Sequence, residues 1–317
     1  MRLEQYGNVM VGPELFDDAG VVRLSDDLAI VTTVDYFTPV VDDAFDFGAI
    51  SAANSLSDLY AMGGTPISGL NIVGFPDKGL PLYVLRDIIR GGMSVAHLAG
   101  LPIVGGHTVK SQEPFFGISI TGKVHPDFVL TNSIATPGDF LYLTKPIGTG
   151  LVTTALKNGK GEPRWIAEAV EFMKMLNRDA SEAVLAVGLC AVTDITGYGL
   201  LGHLSQMMAA SGKAAVIDFN KVPFLSGAVE LAKLDSFPGG SRSNLLSVEP
   251  DMFWDGDFAK FEKLLLADAQ TSGGLLISVK PELAANLETE LRNRKVRFDK
   301  IGYVTDKEKW LVKVIKS

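Results

Sequence analysis

Asp58 is the only charged residue between Phe47 and Gly64, and it sits in LSDLYAMGG among small and apolar neighbours. A carboxylate in such company needs a partner from elsewhere or holds something itself. Ser51, Asn54, Ser55 and Asp58 recur at helical spacing and form a small polar face, suited to close approach by a ligand or another backbone. The ordinary alternative is a structural pairing with an arginine or a backbone amide. Asp17 and Asp18 in FDDAGVV share this setting, as does Asp194 in AVTDITGYG, and neither place has a cation nearby in sequence. Magnesium prefers hard oxygen ligands and often takes only one or two carboxylates, filling its shell with water and substrate phosphate. Aspartates brought from separate elements suit that chemistry. Asp26, Asp27, Asp42, Asp43 and Asp46 are expected in turns and caps.

The glycine-rich stretches suggest competing chemistries. GYGLLG, residues 197–202, satisfies the dinucleotide fingerprint, and Asp218 in AAVIDF follows at a suitable offset, so a nicotinamide-dependent oxidoreductase is the rival reading. Against it, Asp194, Ile195 and Thr196 separate the strand from the first glycine, and a carboxylate there repels pyrophosphate unless a metal intervenes. GTGLVTT lacks the lysine of a P-loop. Gly105, Gly106, His107 and Thr108 in VGGHTVKSQEP follow a short strand, as a phosphate-holding loop or a tight turn. His97 and His203 read as helical and His125 as loop surface, with no spacing that suggests zinc.

These residues must be positioned by a mixed α/β chain. AGVVRL and LAIVTTVDYF flank SDD as an antiparallel pair, with Ala29, Val31, Thr33 and Asp35 on one face of the second strand. DFGAISAANSLSDLYAMGG reads as a helix capped at Asp46 and stopped by Gly63 and Gly64. PLYVLRDIIRGGMSVAHLAG gives another helix, PIVGG a short strand and FFGISITGKV a longer one. The polar TNSIATPGD places a domain boundary near residue 137, giving domains 1–137 and 138–317. Beyond it EPRWIAEAVEFMKMLNRDASEAVLAVG reads as helical, followed by further strands and helices.

The 317 residues carry a net charge of -8, which leaves no basic footprint for nucleic acid or an anionic membrane surface. No apolar run is long enough to span a bilayer, MRLEQYGNVMVG has no signal-peptide character, and a cytoplasmic location is expected. Cys190 is the only cysteine, which excludes an internal disulfide and suits a core position.

FDDAGV, VTTVDYFTPVVDDAFDFGAISAANSLSDLYAMGG, GGHTV, GDFLYLTKPIGTG, VTDITGYGLLGH and DAQTSGGLL stand in the order found in the selenophosphate synthetase family, which the chain resembles over nearly its whole length. The resemblance implies the two-domain aminoimidazole ribonucleotide synthetase-like fold. In that fold an N-terminal ATP-binding domain dimerises through its sheet into a barrel, and a C-terminal α+β domain follows. The implied reaction takes ATP, selenide and water to selenophosphate, AMP and phosphate with Mg2+. By the same resemblance Asp18, Asp58 and Asp194 match metal ligands, and Leu15, Phe16, Asp17, Asp35 and Asp58 match ATP contacts. Gly105, Gly106 and His107 match a segment reaching ATP on the other subunit. A homodimer, a selenium-delivery protein and potassium complete what it implies. The family's Gly-rich segment with a Cys or selenocysteine and a Lys is expected upstream of Met1, as in a shortened form whose selenocysteine codon was read as a stop. A non-catalytic nucleotide-binding paralogue is the second reading.

Overall fold

The computed structural model describes residues 6–317; the side chain of Leu15 lies outside what it describes. The first half comprises β1 (Val9–Val11), β2 (Gly20–Arg23), β3 (Ala29–Phe37), α1 (Ala44–Ala61), β4 (Thr65–Phe75), α2 (Leu82–Leu98), β5 (Ile103–Lys110) and β6 (Phe115–Val124). Its sheet runs β1-β2-β3-β6-β4-β5, with β2 and β3 paired antiparallel as their sequence pattern predicts.

Helix α1 explains its own composition. It packs against α2, against the β3 and β6 side of the sheet, and against elements of the second half, so almost every residue from Phe47 to Ala61 is buried. A helix enclosed on all sides excludes solvated charges. Its small polar face docks on backbone: Ser51 donates to the Phe116 carbonyl (2.6 Å), and Ser55 donates to the Asp35 carbonyl (3.1 Å). The N-cap is Asp43, which accepts from the Asp46 amide at 2.8 Å. Asp46, the cap expected from sequence, lies inside the first turn and pairs with Lys174.

The second half comprises β7 (Phe140–Leu143), α3 (Thr149–Lys157), α4 (Pro163–Lys174), α5 (Arg178–Val187), β8 (Ala191–Asp194), α6 (Gly199–Ser211) and β9 (Ala214–Asp218). It continues with α7 (Ala228–Lys233), α8 (Gly239–Val248), β10 (Met252–Trp254), α9 (Lys260–Leu266), β11 (Leu275–Val279), α10 (Pro281–Asn293), β12 (Asp299–Thr305) and β13 (Val312–Ile315). Its sheet runs β10-β13-β9-β12-β7-β11-β8. One face packs on α6 through Leu200, Leu204 and Met207; the other packs on α5 and α10 through Val184, Leu287 and Leu291. The stretch that reads as one long helix is broken into α4 and α5 at residues 175–177. A third core is continuous across both halves, joining Phe47, Ile50 and Leu56 to Leu151, Met173 and Leu265. Among the described residues no helix is long and apolar enough to cross a membrane.

This topology removes the dinucleotide reading. Strands β8 and β9 flank GYGLLG but are separated in the sheet by β12, β7 and β11, whereas the fingerprint needs one βαβ unit. Asp218 is engaged locally, accepting from the Asn220 and Ser317 amides.

Candidate active site

Three carboxylates from three elements converge between the halves. Asp18 follows a tight turn in which Phe16 takes a left-handed φ of 53°. Asp17 ties that turn down by accepting from the Asn132 amide at 3.2 Å. Asp58 lies near the C-terminal end of α1, and Asp194 closes β8. Each is held by a hydroxyl. Thr193 donates to Asp18 Oδ1 (2.8 Å), Thr33 donates to Asp58 Oδ2 (2.5 Å), and Asp194 receives hydrogen bonds from Ser57 and Thr196. Asp35, on the face of β3 shared with Thr33, accepts from Asn54 Nδ2 at 2.6 Å.

Such crowding is electrostatically unfavourable without a cation. Burial pushes Asp18 well above the usual carboxylate range, and the charges of Asp194, Asp58 and Asp17 add to the rise. Asp58 is raised by burial, then by Asp194 and Asp35. Burial lifts Asp17, Asp35 and Asp194 to about 6 each. Asp18 Oδ2 and Asp194 Oδ2 are buried with no hydrogen-bond partner, although carboxylate oxygens normally accept several. One ligand atom each from Asp18, Asp194 and His203 lies within 4.8 Å of the others. Hard oxygens left open in this way fit a magnesium-type ion.

His203, read from sequence only as helical, helps shape the turn. Its Nε2 accepts from the Thr196 amide at 3.2 Å, and burial lowers its pKa to about 4, so the ring is neutral at pH 7. The aspartates open into a cavity of 480 Å³ lined also by Phe16, Thr196, Gly197, Tyr198, Gln206 and Asn244, with no lysine or arginine among the described residues.

Phe16, Asp17, Asp18, Asp35, Asp58 and Asp194 therefore meet in one pocket. Gly105, Gly106 and His107 do not line it. Instead of a loop or tight turn they form the middle of β5, the edge strand, where pairing with Asn71 and Ile72 of β4 extends the chain. The glycines of IGTG are also no phosphate cradle, because Gln270 Oε1 accepts from the Gly148 and Thr149 amides and Asp268 from Leu151.

Support for the site comes from residues to which the sequence assigns no role. In the loop 270–274, Gly274 O accepts from the Ile195 amide (2.9 Å), and Ser272 N donates to Asn54 Oδ1 (2.8 Å). Its glycines are sterically required: a Cβ on Gly273 would stand 2.0 Å from Ile195 O, and one on Gly274 would stand 2.4 Å from Lys145 N. Asn177, at the break between α4 and α5, donates to Ser57 Oγ and Gly273 O, both at 2.8 Å. The loop lies in DAQTSGGLL, which carries the family resemblance without assigning a role to any of its residues.

Comparison with known proteins agrees with this architecture. Residues 16–124 match the N-terminal domain of AIR synthase related proteins, and residues 136–314 match the C-terminal domain. The selenide, water dikinase of Carboxydothermus hydrogenoformans is 48% identical over 307 residues, covering 96% of this chain and 89% of that protein. The Myxococcus xanthus selenide, water dikinase is 50% identical over 273 residues, covering 85% and 77%. Among solved structures, thiamine-monophosphate kinase from Stenotrophomonas maltophilia superposes with a TM-score of 0.69 at 19% identity, covering 97% of this chain and 91% of that one. Hydrogenase maturation protein HypE in complex with ATP gives 0.70 at 19% identity, covering 93% and 82%.

Proposed function

We infer, from the premise that this chain belongs to the selenide, water dikinase family of AIR synthase related proteins, that it makes selenophosphate, AMP and phosphate from ATP, selenide and water. The observation that carries the site assignment is the meeting of Asp18, Asp58 and Asp194 in a pocket lined, among the described residues, by no lysine or arginine, two of them with open buried oxygens. Triphosphate enters such a pocket only with divalent cations between it and the carboxylates. Asp18, Asp58 and Asp194 would hold magnesium, which when bound polarises phosphoryl oxygens and neutralises developing charge.

The chain's own residues then do the positioning. Thr33, Thr193 and Ser57 hold the carboxylate rotamers, so little reorganisation is needed when ligand arrives. Asp35, fixed by Asn54, lines the pocket with Phe16 and Asp17, and these residues together with Leu15 would contact the nucleotide.

The same reading includes a homodimer formed through the first sheet, with residues 1–137 as the ATP-binding and dimerisation domain. Cross-strand partners put Val34, Leu70 and Gly105 in one row, and Tyr36, Ile72 and His107 in the next, on the sheet face opposite α1. Val34, Tyr36 and Leu70 are about half exposed. An apolar sheet face of this kind suits a self-complementary partner, which brings Gly105, Gly106 and His107 toward the second subunit's nucleotide.

Anaerobic incubation with ATP, Mg2+ and selenide, followed by phosphorus NMR, tests the reaction. Selenophosphate with equimolar AMP is expected. Turnover that stops at ADP would sink the assignment.

A further inference from the structure

Lys145 is 2% exposed and is the only lysine or arginine among the described residues buried this deeply. Its Nζ donates to Met175 O (2.7 Å) and Ser272 O (2.8 Å) and makes no direct ion pair among the described residues, although Asp194 is near enough to interact with it electrostatically. A buried lysine amine held only by carbonyls is costly, so its retention calls for a reason.

The two carbonyls suggest that reason. Met175 belongs to the break between α4 and α5, two residues before Asn177, whose amide holds Ser57. Ser272, in a left-handed turn with φ 50°, presents its amide to Asn54. Both contacts land on α1 three residues apart, just before Asp58. On the opposite side the loop 270–274 grips the residue after Asp194 through Gly274 O, and Gly274 packs on the Lys145 backbone. One amino group thus fixes two loops that fasten the helix bearing Asp58 to the strand bearing Asp194.

We propose that Lys145 is a positioning residue that sets the placement of Asp58 relative to Asp194, and through it the selectivity of the cation site for magnesium. The inference rests on reading these aspartates as cation ligands. Magnesium demands near-ideal octahedral geometry at short distance, whereas calcium accepts looser and larger arrangements. Loosening the fastening therefore weakens magnesium more than calcium. A variant that merely reduced the folded fraction would lower both affinities together.

The test uses nucleotide-free full chain, Mn2+ binding read by electron paramagnetic resonance, and displacement by Mg2+ or Ca2+. Lys145→Met is expected to weaken Mg2+ by at least about tenfold, the scale seen when groups that orient metal ligands are removed, with a smaller change for Ca2+. Asn54→Ala, which leaves Lys145 in place and cuts one link to α1, is expected to shift the Mg2+/Ca2+ ratio the same way. The double variant should lose less than the sum of the two. Unchanged Mg2+/Ca2+ preference in folded Lys145→Met, or additive losses, would overturn the proposal. Should Lys145→Met fail to fold, an unchanged ratio in Asn54→Ala overturns it equally. Wild-type protein that binds no Mn2+ would instead refute the cation-site reading itself.

Discussion

Thr193 Oγ1 donates to Asp18 Oδ1 at 2.8 Å, a hydrogen bond that reaches from the second sheet into the first half of the chain. Asp18 Oδ2 has no partner, so this hydroxyl fixes the direction in which the free oxygen points. Thr193→Val keeps the shape and removes the donor. The expected cost is about 1–3 kcal/mol of stability, the usual scale for leaving a buried acceptor unsatisfied, with weaker Mg2+ binding. Thermal melts with and without Mg2+ measure both.

Asp58→Asn removes one of the mutually repelling charges. The metal-free protein should become more stable, while the stabilisation gained on adding Mg2+ with ATP should largely vanish. Differential scanning fluorimetry across a Mg2+ titration reads both effects, and an undiminished Mg2+ response would contradict the role of Asp58.

The acidic pocket also dictates a pH dependence. Asp17, Asp35 and Asp194 have folded pKa values of about 6 against a reference near 3.8. Between these values the folded state binds more protons than the unfolded state, so stability falls as pH rises. Their contribution is fully present below about 3.8 and is lost as pH passes through about 6. Metal-free protein should therefore melt at a lower temperature at pH 7.5 than at pH 5.5, apart from titrations elsewhere. Added Mg2+ should stabilise it more at pH 7.5, because protons compete for the same oxygens at pH 5.5. Melting curves at the two values, with chelator or with Mg2+, decide it.

Val34→Asp or Leu70→Asp places a charge on the open face of the first sheet without touching the aspartates. Light scattering on size-exclusion eluate should show wild-type dimer converted toward monomer. A wild-type monomer would remove the second-subunit role proposed for Gly105, Gly106 and His107.

Much of the site was legible because burial leaves a compositional trace. Asp58 stood out since a helix enclosed on every side has no other use for charge, and Asp18 and Asp194 shared its apolar setting. The identity of the N-cap was off by three residues, since Asp43 and Asp46 carry the same local signal. GGHTV read as a loop because its glycines suggest a turn, and only pairing with β4 makes it a strand. The break at 175–177 interrupts a continuous helical pattern, where tertiary contacts from Lys145 and Asn177 prevail over local preference. Lys145 itself was illegible. Its acceptors lie 30 and 127 residues away in sequence.

The apolar core shared by the two halves, with Thr193–Asp18, Asn177–Ser57 and Ser272–Asn54 bonded across them, also governs how substrates can enter. Many two-domain enzymes admit ligand by hinging open along the crevice between domains. Here that motion would pull Asp194 away from Asp18 and Asp58 and separate the three carboxylates. Rearrangement confined to the rim, where exposed Phe16 and Tyr198 stand, would instead leave the three carboxylates and the bonds across the halves in place.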